Sequence, residues 1–167
     1  MIRIVCDTGP LLHLFEAESL PLLGRAGRVY IPPSVQSELL AHEPRWTAER
    51  PPWVEIVPLA PAFAEEALAW SRSGLLDQGE AEALALAAQL SADWFLTDDT
   101  AARMIAQSQG REVHGSLGVV LWAAATGALD LAGARASLTS LARSSLWISA
   151  RVLGEAEAAL NRIFSRQ

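Results

Sequence analysis

The sequence predicts an α/β protein with a mostly parallel central sheet. Short apolar runs rich in β-branched residues alternate, along 167 residues, with segments of helical periodicity. Parallel neighbours need crossover connections, so strands separated by helices indicate a parallel sheet covered by helices on both faces. The length also fits one domain of ordinary size. We therefore expect residues 1–167 to form a single domain, with the helices from about residue 131 packed on it.

The strands are predicted from apolar runs that stop at polar or turn-forming residues. The expected strands are residues 2–6, 29–31, 54–57, 94–96 and 112–113. The first run stops at Asp7-Thr8-Gly9-Pro10, which is typical of a loop. The fourth stops at Thr97-Asp98-Asp99, so both of these strands end in carboxylates.

Helical patterns fill most of the sequence between and after the strands. The expected helices cover residues 11–14, 19–23, 34–40, 61–70, 77–90 and 100–107, and three more begin near residues 117, 131 and 150. The segment 43–52 is polar and contains prolines, so we expect a surface loop there.

The overall composition excludes several classes of protein. With 51% hydrophobic and 19% charged residues, the chain is too apolar for a disordered protein. Arg, Asp, Glu or Pro interrupts every apolar stretch before it reaches the length of a membrane span. The first residues lead directly into a strand pattern rather than a secretory leader. These features predict a cytoplasmic protein with no membrane association.

The charged residues narrow the chemistry further. All 13 basic residues are Arg, which excludes a phosphate-binding loop ending in Gly-Lys-Ser/Thr and any Schiff-base mechanism. Cys6 is the only cysteine, which excludes a disulfide framework and a thiolate metal cluster. A net charge of −6 argues against a broad basic face for nucleic acid, although it does not exclude a nuclease.

Acidic residues are placed where the predicted sheet would bring them together. Ligands bind beyond the C-terminal ends of parallel strands, and Asp7 follows the first strand while Asp98 and Asp99 follow the fourth. Glu38 lies about one turn into the helix after the second strand, and Glu80 lies in the first turn of an alanine-rich helix. We expect these carboxylates to meet at one edge, where their mutual repulsion favours a bound cation.

Each acid also has an ordinary structural interpretation, and the residue types alone leave both open. An Asp that follows a strand is suited to cap the next helix. Glu80 lies three residues after Asp77, so the pair can form a capping box, and we expect Asp77 to be a helix cap. Glu38 can simply face solvent beside its apolar neighbours.

Five segments follow one another in a recognisable order: IVCDTGPLLHL, IPPSVQSELL, LDQGEAEALALA, WFLTDDTAAR and VHGSLGVVLWA. In this order they resemble the PIN-domain family, most closely its bacterial and archaeal branch related to VapC-type toxins. The similarity runs from Ile4 to about Ala125, with a weaker one at LWISARVL. It implies a three-layer α/β/α sandwich and a Mg²⁺- or Mn²⁺-dependent endoribonuclease, in many cases a toxin neutralised by a small antitoxin protein.

The resemblance also implies roles for the acids. Asp7 matches the first acid of the family, Glu38 the helix acid, Glu80 the acid that heads the fourth main helix, and Asp99 the acid two residues after a Thr. We expect Asp7 and Asp99 to be the principal ligands of Mg²⁺ or Mn²⁺, which prefer carboxylate oxygens. Glu38 and Glu80 would bind directly or through water, and Asp98 would be an outer ligand or a positioning group. The bound ion would activate water for phosphodiester hydrolysis.

Three further residues are candidates for contact with the substrate. Thr8 matches the hydroxyl residue after the first acid, and Ser116 replaces the Thr or Ser that follows the family's His/Gly segment. Both are expected to hydrogen-bond the scissile phosphate or a ligand water. Arg103, one turn past the acidic pair, pairs either with a phosphate or with a nearby carboxylate.

The remaining aromatic and titratable residues favour structural roles. His13, His42 and His114 lack the spacing of a zinc site. The six tryptophans are spaced too widely for a base-stacking platform and are expected to pack. The apolar segment from Leu146 to Leu153 is expected to pack on the core, with a homodimer face or an antitoxin-binding surface as alternatives.

Two other functions fit part of the pattern. A phosphatase or phosphoryl-accepting domain also places Asp after the first strand, but both resemble families that use a lysine, and this chain has none. The phosphatase type also requires a second Asp where Gly9 stands. A catalytically inactive PIN-like module that binds RNA or protein stays open as an alternative.

Overall fold

The computed structural model describes residues 1–166 and contains a five-stranded sheet in which every pairing is parallel. The strands are β1 (Ile2–Cys6), β2 (Gly27–Ile31), β3 (Val54–Ile56), β4 (Trp94–Leu96) and β5 (Glu112–His114). Their spatial order is β3-β2-β1-β4-β5. The predicted α/β class with a parallel sheet is confirmed, and the helices that flank the sheet make it an α/β sandwich.

Ten helices lie within the described residues. They are α1 (Thr8–Glu16), α2 (Pro21–Ala26), α3 (Pro33–His42), α4 (Trp46–Glu49), α5 (Pro61–Arg72), α6 (Gln78–Gln89), α7 (Thr100–Ser108), α8 (Ser116–Ala125), α9 (Leu131–Arg143) and α10 (Ala150–Ser165). α9 packs on α1 and α8, and α10 packs on α8 and α9. None of the helices in residues 1–166 is long and apolar enough to cross a membrane.

β1 is the centre of the sheet and carries its most buried residues. Ile4, Val5 and Cys6 are fully buried because β1 has a strand on each side, β2 and β4, and helices such as α6 pack on the sheet. The chain leaves β1 towards β2 and returns later to form β4 on the opposite side. The C-terminal ends of β1 and β4 therefore border the point where the strand order reverses, which is where ligands bind in open α/β sheets.

The first helix is longer than the sequence pattern predicted. We expected a loop at residues 7–10, but α1 begins at Thr8. Asp7 is its N-cap, and its side chain accepts a hydrogen bond from the Thr8 backbone N–H. Pro10 is tolerated because it lies in the first turn, where backbone N–H groups have no helical partner. The strand-ending carboxylate is thus fixed at a helix N-terminus.

The segment 43–52 also differs from the expected surface loop. It contains α4, and the side chain of Trp46 is fully buried. The Trp46 indole N–H donates to Oε1 of Gln36 at 2.8 Å, and the ring meets Phe15 edge to face at 5.9 Å between centroids. Burial of one large aromatic ring overrides the polar character of its neighbours.

Candidate metal centre

A cavity of about 440 Å³ opens at the C-terminal ends of β1 and β4. Its walls carry the carboxylates of Asp7, Glu38, Asp77, Glu80, Asp98 and Asp99. All five residues expected as metal ligands therefore line one cavity, although they come from four separate parts of the chain: the end of β1, α3, α6 and the loop between β4 and α7. The basic side chains in the lining are those of His13 and His42, and no arginine contributes to it.

Asp7 is the most enclosed of these acids, with a residue exposure of only 5%. Oδ1 accepts the Thr8 backbone N–H at 2.7 Å, and Oδ2 accepts the Thr97 hydroxyl at 3.1 Å. Burial raises the pKa of Asp7 to about 7; these hydrogen bonds oppose the rise, and the nearby charges of Glu80 and Asp77 add to it. The site thus holds a carboxylate whose negative charge is poorly compensated by the protein.

Glu38 approaches the cavity from α3. Its Oε2 accepts a hydrogen bond from the Thr8 hydroxyl, so the expected substrate group Thr8 is engaged in holding this carboxylate. Glu38 also packs against the first turn of α6, because a Cβ on Gly79 would lie only 2.4 Å from Oε1 of Glu38. The absence of a side chain at Gly79 therefore gives the Glu38 carboxylate its space.

Glu80 and Asp99 combine helix capping with a place in the cavity wall. Glu80 accepts the Asp77 backbone N–H at 2.9 Å, while Asp77 accepts the Glu80 backbone N–H at 2.8 Å, which completes the capping box. Oδ1 of Asp99 caps α7 through the Ala102 backbone N–H at 2.8 Å. The structural and the functional interpretations of these acids are therefore compatible, since each cap uses one carboxylate oxygen.

Several carboxylate oxygens in the wall are left without a donor. Within residues 1–166, no hydrogen bond reaches Oε1 of Glu38, Oε1 of Glu80 or Oδ2 of Asp99. Partial burial raises the pKa of Glu80, and the charges of Asp77, Asp99 and Glu38 contribute to the rise. Like charges thus lie close enough to influence one another across the cavity.

Asp98 is held differently from its neighbours. Oδ1 accepts the Ser116 backbone N–H at 2.7 Å, and Oδ2 lies 2.7 Å from Nδ1 of His13 and 2.6 Å from the Ser116 hydroxyl. Burial raises the pKa of Asp98, but the hydrogen bonds from His13 and Ser116 outweigh it and bring the pKa below its usual value. Both oxygens are engaged, which suits a positioning group better than an open ligand.

Two of the expected substrate-binding residues lie elsewhere. Ser116 is fully buried and donates to Asp98, so it orients that carboxylate and does not line the cavity. Arg103 lines an adjoining cavity and donates to the Thr97 carbonyl at 3.2 Å, without an acidic partner in the described residues. Of the two alternatives for Arg103, the ion pair with a nearby carboxylate is therefore absent from the described residues. Neither position follows from spacing along the chain, since each depends on how α7 and α8 approach β4.

The donor set suits a hard divalent cation. It consists of carboxylate oxygens, several of them without a donor, and it lies in a cavity with no Lys or Arg to neutralise it. Within residues 1–166, no three Asp, Glu, His or Cys side chains already form a compact ligand group. Mg²⁺ keeps several waters and typically binds through one or two carboxylates, so a closed cage of side chains is not required.

Sequence reasoning missed several residues that shape this site. His13 was assigned a scattered structural role, yet it lines the cavity and holds Asp98. Gly79 and Gly115 provide space, since a Cβ on Gly115 would lie 2.7 Å from Oδ1 of Asp98. Thr97 holds Asp7 across the β1–β4 pair. Of these residues, only Thr97 could have been identified from the sequence, because it directly precedes the acidic pair Asp98-Asp99.

Comparison with known proteins agrees with this arrangement. A family model described as a PIN domain matches residues 3–162, which is nearly the whole chain. A search of curated proteins found no match. PIN domains are generally nucleases that act on RNA and use divalent metals. With its parallel sheet and its acidic cavity at the ends of β1 and β4, this chain belongs to the PIN-domain family.

Proposed function

We propose that this protein is an endoribonuclease that hydrolyses phosphodiester bonds with Mg²⁺ or Mn²⁺. The observation that carries the proposal is the convergence of Asp7, Glu38, Glu80, Asp98 and Asp99 on one cavity without a neutralising Lys or Arg. Such a concentration of carboxylates destabilises the fold unless a cation compensates it. RNA is the substrate because the family acts on RNA.

The carboxylates divide into ligands and positioning groups. Asp7 and Asp99 are the principal candidates for direct contact with the ion, because they follow the neighbouring strands β1 and β4. Glu38 and Glu80 each retain one oxygen without a donor and complete the set directly or through water. Asp98, engaged by His13 and Ser116, positions the loop between β4 and α7.

The chemistry follows from this donor set. A divalent ion held by these carboxylates would activate water and stabilise charge on the leaving oxygen. The Thr97 and Thr8 hydroxyls keep Asp7 and Glu38 in place, as positioning groups, by hydrogen bonds within the protein. No nucleophilic Ser, Cys or Lys is needed, which agrees with a chain that has no Lys and only a buried cysteine.

We extend the proposal to a biological role as the toxin of a toxin–antitoxin pair. Support comes from the order of the five sequence segments, which resembles the branch related to VapC-type toxins. A small neighbouring reading frame whose product inhibits RNA cleavage would test this role, and a product that leaves cleavage unchanged would contradict it.

The nuclease proposal is tested by incubating defined single-stranded RNAs with purified protein and Mn²⁺, beside the Asp7→Asn variant. We expect cleavage by the wild-type protein, its loss in the presence of EDTA, and a decrease of at least about 100-fold in the variant, because Asn removes the charge that binds the ion. Circular dichroism spectra of both proteins check that the variant is folded.

The matched control is Glu155→Gln, which removes an exposed carboxylate on α10 that does not line the acidic cavity. Its cleavage rate should equal that of the wild type. Equal cleavage by wild type and Asp7→Asn would assign the activity to a contaminant. Binding of RNA and Mn²⁺ without any cleavage would favour the catalytically inactive module instead.

A further inference from the structure

A second cavity of about 370 Å³ adjoins the acidic one. Asp98, Leu146 and Trp147 line both, so the two cavities meet along these residues. The volume is within the range of roughly 300–1,000 Å³ typical of small-ligand pockets. A ligand that extends out of the acidic cavity on this side therefore passes over Trp147.

Trp147 is held at this junction and is 85% exposed. It lies in the segment between α9 and α10, where the adjacent Leu146 and Ile148 pack against the core. The neighbouring Ser145 is tied to Glu16 by its backbone N–H at 2.8 Å and its hydroxyl at 2.6 Å. Ser149 caps α10 through the Val152 backbone N–H at 3.1 Å. Anchors on both sides thus fix the backbone that presents the indole.

Arg103 contributes a positively charged guanidinium group to the second cavity. Its guanidinium donates one hydrogen bond, to the Thr97 carbonyl, and has no acidic partner among the described residues. The remaining N–H donors are available for a bound anion. Gly115 leaves room for this group, since a Cβ there would lie 2.8 Å from Nη2 of Arg103. The nearby Asp98 carboxylate is already engaged by three donors, which limits its repulsion of an anion.

We propose that this second cavity binds the nucleotide adjacent to the scissile bond of a single-stranded RNA, with its base stacked on Trp147 and its phosphate held by Arg103. The inference rests on the proposed nuclease function and assigns a substrate subsite to it. An exposed aromatic face beside a free guanidinium matches the two parts of a nucleotide, since unpaired bases stack on aromatic rings and phosphates accept hydrogen bonds from Arg. An apolar peptide would leave the guanidinium without an anionic partner.

The test measures RNA binding separately from cleavage. Affinity for a short single-stranded RNA is determined in the presence of Mn²⁺ with the Asp7→Asn protein, alone and combined with Trp147→Ala, Trp147→Phe or Arg103→Gln. We expect Trp147→Ala to weaken binding about fivefold or more, as is typical for loss of a stacked base, and Trp147→Phe to restore most of it. Arg103→Gln should also weaken binding and reduce its dependence on salt.

Two matched controls accompany these variants. Arg72→Gln removes an exposed arginine at the end of α5, and Leu68→Ala removes an exposed apolar side chain from the same helix. Both should leave RNA affinity unchanged. A series of RNAs with one abasic nucleotide at successive positions identifies the stacked base, because Trp147→Ala should have no further effect when that base is missing.

The outcomes separate this inference from the proposed function. If the wild-type protein cleaves RNA but Trp147→Ala and Arg103→Gln bind it as tightly as the parent, the subsite is wrong and the nuclease function stands; a protein segment would then be the alternative occupant. An effect of Trp147→Ala that persists with every abasic RNA also overturns base stacking. If the protein neither binds nor cleaves RNA, both proposals fail.

Discussion

Nδ1 of His13 lies 2.7 Å from Oδ2 of Asp98 and joins α1 to the loop after β4. The two residues are 85 positions apart in the sequence, yet both side chains are largely buried at one wall of the acidic cavity. Ser116 completes the arrangement with its hydroxyl and its backbone N–H. These contacts fix the position of Asp98. Because Asp99 is the next residue, they also help to hold Asp99 at the cavity.

Replacement of His13 tests this contact. His13→Ala leaves a buried acceptor of Asp98 without one of its donors, so we expect the free energy of unfolding to fall by about 1–3 kcal/mol and RNA cleavage to decrease. Urea denaturation at neutral pH measures the first effect. His42→Ala is the control, because His42 lines the same cavity but is exposed and should change stability little. Equal stability of the His13 variant and the wild type would show that the contact is not structural.

Substitution of Gly79 tests whether the Glu38 carboxylate needs the space that the missing Gly79 side chain leaves. Gly79→Ala places a Cβ 2.4 Å from Oε1 of Glu38, so we expect this carboxylate to be displaced and cleavage to fall at least about tenfold while the protein stays folded. Cleavage assays and Mn²⁺ titration measure the effect.

Gly154→Ala is the matched control for Gly79→Ala. Gly154 lies inside α10, and beyond its chain neighbours and the nearby backbone of its own helix no described atom is within 4 Å of a Cβ placed there. This variant should gain about 1 kcal/mol in stability from helix propensity and keep full activity. Full activity of Gly79→Ala would contradict a functional position of Glu38.

The raised pKa of Asp7 predicts how the stability of the metal-free protein depends on pH. Its pKa of about 7 in the folded state exceeds the ordinary value of 3.8, so the folded state binds the proton more tightly than the unfolded state does. In EDTA, stability should therefore fall as pH rises between these two values, by up to about 4 kcal/mol at 1.36 kcal/mol per pKa unit.

Asp7→Asn should remove this contribution and be more stable than the wild type above pH 7. Denaturant unfolding over a pH series compares the two proteins, so the contributions of acids distant from Asp7 cancel. Asp130→Asn is the control, since Asp130 is an exposed N-cap of α9 and Asn caps a helix equally well. Parallel pH profiles for wild type and Asp7→Asn would contradict the burial of charge at Asp7.

A divalent cation should stabilise the wild-type protein. Binding to the folded state alone adds about 2.7 kcal/mol when the cation is present at 100 times its dissociation constant. We expect Mn²⁺ to raise the melting temperature of the wild type and to raise that of Asp99→Asn much less. Differential scanning fluorimetry with Mn²⁺ and with Na⁺ at matched ionic strength measures this. An identical shift in both proteins would place the binding elsewhere.

Sequence patterns were sufficient for the class of fold, and together with the family resemblance they selected acids that line one cavity. Short apolar runs predicted β1 to β4 near their observed positions, because buried parallel strands need continuous apolar residues. The edge strand predicted at residues 112–113 corresponds to β5, which is only partly buried. Asp7 and Asp98 mark the ends of two such strands, and the parallel pairing of β1 with β4 is enough to bring them close. The predicted helix cap at Asp77 likewise follows from local backbone requirements. Asp98 and Asp99 were both suited to cap α7, and the structure shows that Asp99 does so.

Contacts between distant segments were decided only by the tertiary structure. Burial of Trp46, the packing of Glu38 on Gly79 and the pairing of His13 with Asp98 all depend on the relative positions of helices, which local periodicity does not encode. The exposure of Trp147 is a further case. Residues 146–148 are all apolar, so the sequence does not show which of them is exposed. The sequence by itself determined which carboxylates lie near the ends of β1 and β4; the packing of helices on the sheet decided which of their oxygens have no hydrogen-bond donor among residues 1–166.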